Sequence, residues 1–204
     1  MPTGTLYIVS APSGGGKTSL VHALLAETPN LEASVSHTTR APRPGEQNEV
    51  DYYFIDQPTF VDLIAQKAFL EYAQVFGNYY GTSRKWVEDK LKAGIDVILE
   101  IDWQGAQQIR QLIANTISIF LLPPSWETLK TRLEERGQDQ ANVIEHRMAA
   151  ARAEVSHYHE YDYLIINDDF NKALNNLRAI LHARRLRCEV QKQKYAELLT
   201  NLLA

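Results

Sequence analysis

A glycine-rich segment near the start of the chain combines residue types and spacing that indicate phosphate chemistry. It reads APSGGGKTS and matches the pattern GxxxxGK[ST] at Gly16, Lys17 and Thr18, with Ala11 in place of the first glycine. Consecutive glycines let backbone N–H groups turn toward a phosphate chain at the start of a helix, where the helix dipole favours anions. In such loops the lysine contacts the β- and γ-phosphates, and the hydroxyl group binds Mg²⁺. The segment therefore predicts a site for a nucleoside triphosphate.

Two arginines on a proline-containing turn form a second candidate site. Arg40 and Arg43 stand three residues apart in the segment RAPRPGE. Prolines limit the entropy that such a turn loses on binding, and guanidinium groups form paired hydrogen bonds with phosphate oxygens. Two arginines at this spacing are, by themselves, more often a solvated surface. Beside a phosphate loop, they predict a receptor for the phosphate of a second substrate.

Two acidic residues follow an apolar segment, and this position also indicates chemistry. Glu100 and Asp102 end the run IDVILEID, a usual position for carboxylates near nucleotide-bound Mg²⁺ in phosphate-loop proteins. They could act on the metal through water or orient Arg40 and Arg43, and a purely structural ion pair is a third interpretation.

The elements that must position these residues follow an α/β pattern. Strand, glycine-rich loop and helix in that order are typical of parallel α/β sheets. The predicted strands of the sheet are 4–10, 95–102, 116–122 and 163–167, and helices are predicted at 83–94, 104–113 and 170–200. Two segments interrupt the pattern. The first, 34–83, predicts a small, mainly antiparallel sheet with a helix at 58–67, and the second, 125–157, predicts helices with a break at 136–140.

Composition narrows the class of protein. The 204 residues suit one domain with a small insertion, and 21 basic against 25 acidic residues give a net charge of −4, which disfavours nucleic acid or an anionic membrane as partner. The single cysteine, Cys188, excludes an intramolecular disulfide and a cysteine-based zinc site. Apolar runs fall short of the ~20 residues of a membrane span, and no positive segment precedes the first of them. We therefore expect a cytoplasmic protein.

Over nearly its whole length, the chain resembles the guanylate kinase family. The segments that carry the resemblance are SAPSGGGKTS, SHTTRAPRPGEQNEVDYYF, FLEYAQVFGNYYGTS, ILEIDWQGAQQI, RLEERG, EHRMAAARAE and IINDD. The resemblance implies a three-layer α/β phosphate-loop kinase fold of one domain with a parallel core sheet. Its parts would be a core (1–33, 84–124 and 158–204), a GMP-binding sub-domain (34–83) and a helical lid (125–157). The implied reaction is phosphoryl transfer from ATP to GMP, giving ADP and GDP, with Mg²⁺ bound to ATP.

The resemblance also implies the residues that contact each substrate. Those implied for ATP are Ala11, Pro12, Ser13, Gly14, Gly15, Gly16, Lys17, Thr18, Ser19 and, beside the adenine, Asn167. Those implied for GMP are Ser36, Arg40, Arg43, Glu46, Tyr52, Glu71, Tyr80, Thr82, Glu100 and Asp102. The catalytic residues implied are Lys17, Arg132, Arg136 and Arg147. The residues implied for Mg²⁺ are Thr18, in direct contact, and Glu100 and Asp102, through water.

The chemistry of guanine agrees with the role that the resemblance gives to Glu71. Guanine presents its N1–H and N2–H donors side by side, and an ionised carboxylate is an acceptor only. Adenine would instead place its N1 acceptor against that carboxylate, which leaves two lone pairs facing each other in a buried site. Glu71, with Ser36 and Thr82, is therefore expected to select guanine.

Two alternatives belong to other functional classes. A guanylate-kinase-like protein-binding module of a scaffold protein typically has a degraded phosphate loop and neighbouring interaction domains, whereas Lys17 and Thr18 are intact here. A phosphate-loop kinase of another phosphorylated acceptor, such as a sugar phosphate, would not need Glu71. The sequence leaves the use of dGMP and assembly into a homo-oligomer open.

Overall fold

Alternating apolar strands and helices build the fold, which the computed structural model describes for residues 3–135 and 141–204. The strands in these ranges are β1 (Leu6–Ser10), β2 (Leu31–Ala33), β3 (His37–Thr38), β4 (Tyr53–Phe54), β5 (Phe69–Val75), β6 (Asn78–Ser83), β7 (Asp96–Glu100), β8 (Ile117–Leu122) and β9 (Tyr163–Ile166). The helices are α1 (Lys17–Glu27), α2 (Gln57–Ala65), α3 (Arg84–Lys92), α4 (Trp103–Leu112), α5 (Trp126–Glu135), α6 (Ala141–Ser156), α7 (Phe170–Arg185), α8 (Cys188–Lys194) and α9 (Ala196–Leu203).

The predicted core sheet is confirmed as a parallel sheet of five strands in the order β2-β7-β1-β8-β9. All five residues of β1 are buried, because helices cover both faces of the sheet. Tyr7 and Val9 pack against α1 and α7 on one face, and Leu6 and Ile8 pack against α3 and α4 on the other. The three layers of the predicted fold are thus present. Parallel strands place all their carboxyl ends at one edge, where ligands bind in such folds.

The second sheet lies between β2 and α3 in the chain and has the order β4-β3-β6-β5. The pairs β3–β6 and β5–β6 are antiparallel, and β3–β4 is parallel, so the predicted small, mainly antiparallel sheet is confirmed. Phe60 of α2 packs on this sheet, with its ring 4.5 Å from Phe69 and 5.3 Å from Tyr79. An aromatic cluster is therefore the core of this sub-structure.

Two features of the core differ from the prediction. The helix predicted over 170–200 is three helices, because the buried apolar face of α7 ends at Leu181 and no apolar residue continues it one turn later. Leu186 and Arg187 form the break, which the Gln191 side chain stabilises by donating to the Arg185 carbonyl at 2.7 Å. Strand β2 was not predicted, since three residues give too short a periodic signal. The predicted break at 136–140 lies outside the described residues.

No helix among the described residues is long and apolar enough to cross a membrane.

Candidate active site

A cavity of about 630 Å³ opens at the carboxyl edge of the core sheet, between the two segments that interrupt the α/β pattern. Most residues predicted for substrate binding line it. They are Ala11, Pro12, Ser13, Gly14, Gly15, Gly16, Lys17, Thr18, Ser19, Ser36, Arg43, Tyr52, Glu71, Tyr80, Glu100, Asp102, Arg132, Arg147 and Asn167. The fold therefore brings the phosphate loop and the predicted acceptor residues to one site.

The loop after β1 has the backbone shape of a phosphate-binding loop. Gly14 and Gly16 both have a φ of +86°, a left-handed conformation that residues with a side chain rarely adopt. Helix α1 begins directly afterwards, so its unpaired N–H groups and dipole face the cavity. The loop is also held by Asn167, directly after β9, whose Nδ2 donates to the Gly15 carbonyl at 3.0 Å. This contact makes Asn167 a support of the loop, and its predicted contact with adenine stays a prediction.

The structure brings together two oxygen groups that suit a magnesium ion. Thr18 Oγ1 donates to Glu100 Oε2 at 3.1 Å, and hydroxyl and carboxylate oxygens are ligands that Mg²⁺ prefers. Asp102 caps α4, with Oδ1 accepting from Gly105 N at 3.0 Å and Oδ2 accepting from Gln104 Nε2 at 2.9 Å. No cluster of three or more His, Cys, Asp or Glu that could hold a metal occurs in 3–135 and 141–204. A magnesium ion here would therefore also need the oxygens of the nucleotide.

Glu71 is a buried acidic residue on the acceptor side of the cavity. A β-bulge between Phe69 and Glu71 shifts the register of β5, and Thr82 Oγ1 on β6 donates to Glu71 Oε1 at 2.5 Å. The second oxygen lies against Gly105, where a Cβ atom would clash with it. Burial raises the pKa of Glu71 to about 7, although the hydrogen bond from Thr82 opposes this shift. Thr82 is fully buried and fixes the Glu71 carboxylate through this hydrogen bond, and its predicted contact with guanine stays a prediction.

The predicted phosphate receptor divides into residues that face the cavity and residues that hold them. Arg43, Tyr52 and Tyr80 line the cavity, whereas Arg40 and Glu46 do not. Glu46 Oε1 accepts from Arg40 Nη2 at 2.8 Å, and Glu46 Oε2 accepts from the Arg43 backbone N–H at 2.7 Å. The Arg40 guanidinium lies 5.3 Å from the centre of the Tyr52 ring. Glu46 thus fixes the turn through both of its oxygens, and its predicted contact with GMP stays a prediction.

Two of the three arginines predicted for the lid lie in the described structure. Arg132 on α5 lines the cavity and donates from Nη2 to the Asn167 carbonyl at 2.9 Å. Arg147 on α6 is buried, lines the cavity, and its guanidinium lies 5.8 Å from the centre of the Phe76 ring. Arg136 lies outside the described residues. Phe76 belongs to the turn between β5 and β6, so it joins the acceptor side to α6.

With this geometry, comparison with known proteins decides the family. The model of the family described as guanylate kinase matches residues 3–184 of the chain. The chain belongs to the guanylate kinase family. The guanylate kinase of Saccharophagus degradans is 60% identical over 203 residues, covering 100% of this chain and 99% of that protein. The guanylate kinase of Vibrio cholerae is 57% identical over 206 residues, covering 100% of both chains.

A solved structure of the guanylate kinase family has the same fold. The crystal structure of guanylate kinase from Anaplasma phagocytophilum superposes with a TM-score of 0.78 at 36% identity, and the match covers 92% of this chain and 89% of that one. Fold and sequence therefore agree on the family.

Several residues that line the cavity were not predicted from the sequence, and Glu154 is one of them. Glu154 on α6 lines the cavity and accepts a hydrogen bond from the Ser13 backbone N–H of the phosphate loop at 3.1 Å. The sequence of α6 contains a pattern that could have indicated this residue, because Ile144, Arg147 and Ala151 are buried at helical spacing. Glu154 continues that spacing, so two charged residues stand on the buried stripe of the helix, a position that favours a functional role.

Proposed function

We propose that this enzyme transfers the γ-phosphoryl group of ATP to GMP, giving ADP and GDP, at the cavity described above. The observation that carries this assignment is that a phosphate loop and a buried carboxylate, Glu71, line the same cavity. The first suits a nucleoside triphosphate, and the second suits the paired N–H donors of guanine. Membership of the guanylate kinase family agrees with both.

On the donor side, Lys17 and the N–H groups of the loop are proposed to bind the phosphates of ATP. Mg²⁺ bound with ATP would supply positive charge that offsets the charge of the phosphates. Thr18 would hold it directly and Glu100 and Asp102 through water, which the contact between Thr18 and Glu100 supports. Asn167 fixes the loop against β9 and is proposed to lie beside the adenine.

On the acceptor side, the phosphate of GMP is proposed to bind to Arg43, Tyr52 and Tyr80. Arg40 and Glu46 hold that turn in place. Ser36 and Glu71 contact guanine, and Thr82 orients the Glu71 carboxylate. None of these proposed contacts involves the 2′-hydroxyl of the ribose, and dGMP is therefore proposed as a second acceptor.

The transfer itself needs alignment of the two phosphates and positive charge around the transferred group. It needs no general base, because the attacking phosphate oxygen is already deprotonated. A phosphate oxygen has a second pKa of ~6, so it is largely deprotonated at neutral pH and needs no general base. Charge spreads over the equatorial oxygens of the transferred group, and Lys17, Arg132, Arg136 and Arg147 are proposed to stabilise it. Segment 125–157 is proposed to close over the site and exclude water, which would otherwise accept the phosphoryl group.

The proposed parts are a core (1–33, 84–124 and 158–204), a GMP-binding sub-domain (34–83) and a lid (125–157). The aromatic packing of α2 on the second sheet supports the sub-domain as a unit. The enzyme is proposed to be cytoplasmic, because its proposed substrates, ATP and GMP, belong to the nucleotide pool of the cytoplasm.

The proposal is tested by a coupled assay of ADP release with GMP, AMP, CMP or UMP as acceptor. We expect turnover with GMP and little with the others. Lys17→Met should reduce kcat by more than about tenfold, which is ~1.4 kcal/mol of transition-state stabilisation, without lowering the melting temperature. The matched control is Lys85→Met, since Lys85 is 86% exposed on α3, and it should leave kcat unchanged.

The rival functions have different outcomes in the same assay. A protein-binding module would release no ADP with any acceptor while remaining folded. A kinase of another phosphorylated acceptor would show no preference for GMP. A Lys17→Met variant with more than about a tenth of the wild-type kcat would refute the role of the phosphate loop.

A further inference from the structure

Glu154 places a negative charge where the proposed reaction needs to bind a triphosphate. Its carboxylate accepts the Ser13 N–H at 3.1 Å, and backbone N–H groups of this loop are the groups that bind phosphate oxygens. The charge of Lys17 acts on the same carboxylate and favours its ionised form. A carboxylate of the protein therefore uses a donor and a cation that a nucleotide phosphate would also use.

The surroundings of Glu154 disfavour an ionised carboxylate, so the contact with Ser13 is an unfavourable choice for helix packing alone. The side chain is half-buried, and burial raises the pKa of its carboxyl group, with Asp102 adding to the shift, while Ser13 and Lys17 oppose it. The carboxyl group is thus held near another acid and away from bulk water. A position of this kind favours a functional interpretation over simple helix packing.

Glu154 also connects the phosphate loop to an arginine proposed to be catalytic. Arg147 stands seven residues earlier on α6, which is about two turns or ~10 Å along the same face of the helix. Both side chains line the cavity. Because α6 is a continuous helix over Ala141–Ser156, release of Glu154 from the loop would let the helix carrying Arg147 move.

We propose that Glu154 is an internal ligand of the phosphate loop, which the triphosphate of ATP displaces, so that ATP binding releases α6 and repositions Arg147. Glu154 is in this sense a positioning residue, and the proposal depends on the ATP site described under the proposed function. The carboxylate occupies the loop in the absence of nucleotide and leaves it when phosphate oxygens take the Ser13 N–H. Binding of ATP and movement of α6 are therefore one coupled step.

The test compares ATP affinity in Glu154→Gln, Glu154→Ala and the wild type, by isothermal titration calorimetry without GMP. A neutral amide competes less with phosphate than a carboxylate does, because charge-assisted hydrogen bonds are about twice as strong as neutral ones. We expect the Kd for ATP to fall by at least about threefold in Glu154→Gln and further in Glu154→Ala. Adenosine, which lacks phosphates, should bind all three proteins equally. The matched control is Glu145→Gln, because Glu145 is exposed on the same helix.

A second measurement follows the helix itself. Hydrogen–deuterium exchange in peptides covering 141–156 should rise in Glu154→Ala without nucleotide, toward the level that ATP produces in the wild type. An unchanged or higher Kd for ATP in both Glu154 variants would overturn the proposal, as would exchange in α6 that does not respond to ATP. If the wild type does not bind ATP at all, the proposed function fails first, so the two failures are distinguishable.

Discussion

In its proposed role Glu71 must be ionised to accept both guanine donors, yet it is only 4% exposed, and burial raises its pKa to about 7. A protonated carboxyl group would present an O–H to one of the two N–H groups of the base. Because the pKa of the free enzyme lies above the ordinary value for Glu, the ionised fraction increases as the pH rises through 7. GMP binding should therefore release a proton from Glu71 at neutral pH.

We predict that the KM for GMP falls about tenfold between pH 6 and pH 8, as expected for a group that must lose a proton with a pKa near 7. The KM for ATP should change less over this range. Steady-state kinetics with each substrate varied in turn measures both. The matched control is Glu71→Gln, which cannot titrate.

Glu71→Gln should lower kcat/KM for GMP by about 30- to 1,000-fold, because a charge-assisted hydrogen bond is lost and an N–H donor is left unpaired, a cost of ~2–4 kcal/mol. The pH dependence that remains in this variant belongs to the GMP phosphate, whose second pKa is ~6. An equally steep KM profile in wild type and variant would show that Glu71 is not the titrating group.

At the scale of the elements, the turn of the β5–β6 hairpin contacts α6 through Phe76. Its two-residue turn consists of Phe76 and Gly77, with φ values of +48° and +79°. Positive φ at both positions suits Asn-Gly in a hairpin turn and is unusual for an aromatic residue. The Phe76 ring contacts the Arg147 guanidinium and lies 5.6 Å from the His146 ring. Phe76 therefore adopts an unfavourable backbone conformation at a position where its ring connects the β5–β6 hairpin to α6.

We predict that Phe76→Asn keeps or raises the melting temperature but lowers kcat by about two- to fivefold. Asn adopts positive φ with little strain, whereas loss of an exposed cation–π contact costs ~0.5–1 kcal/mol. Differential scanning fluorimetry and the ADP-release assay measure the two effects separately. The control Phe76→Tyr keeps the ring and should keep kcat, and an unchanged kcat in Phe76→Asn would contradict a role in placing Arg147.

The elements differ in how well local sequence predicts them. The phosphate loop, β7 and β8 could be predicted because glycine spacing and apolar runs act within about ten residues. The contact of Glu154 with Ser13 joins positions 141 residues apart, so no local pattern contains it. The contacts of Glu46 with Arg40 and the Arg43 N–H were not predicted either, because only the folded turn brings these groups together.

For the whole molecule, the proposed catalytic and substrate-binding groups stand on three separate parts of the chain. Lys17 belongs to the core, Arg43 and Glu71 to the segment 34–83, and Arg147 to the segment 125–157. In-line transfer requires donor and acceptor phosphates to be held within bonding reach and shielded from water. These parts are therefore expected to approach one another when both nucleotides are bound.

We predict a smaller radius of gyration for the complex with a bisubstrate analogue than for the free protein, measured by small-angle X-ray scattering. The value for the complex should approach ~17 Å, the radius of a compact chain of 204 residues. ATP or GMP alone should cause smaller changes. An unchanged radius, with binding of the analogue confirmed by calorimetry, would count against closure.

The contact between Gly105 and Glu71 has a consequence for how substrate choice could evolve or be engineered. A side chain at position 105 would clash with the Glu71 carboxylate, although it would be attached to a different element, α4. Any replacement there would displace the carboxylate from its present position against α4 and change the space left for the base. The size of the base pocket can therefore be altered from a helix that need not touch the base, while the residue that bonds to the base remains Glu71.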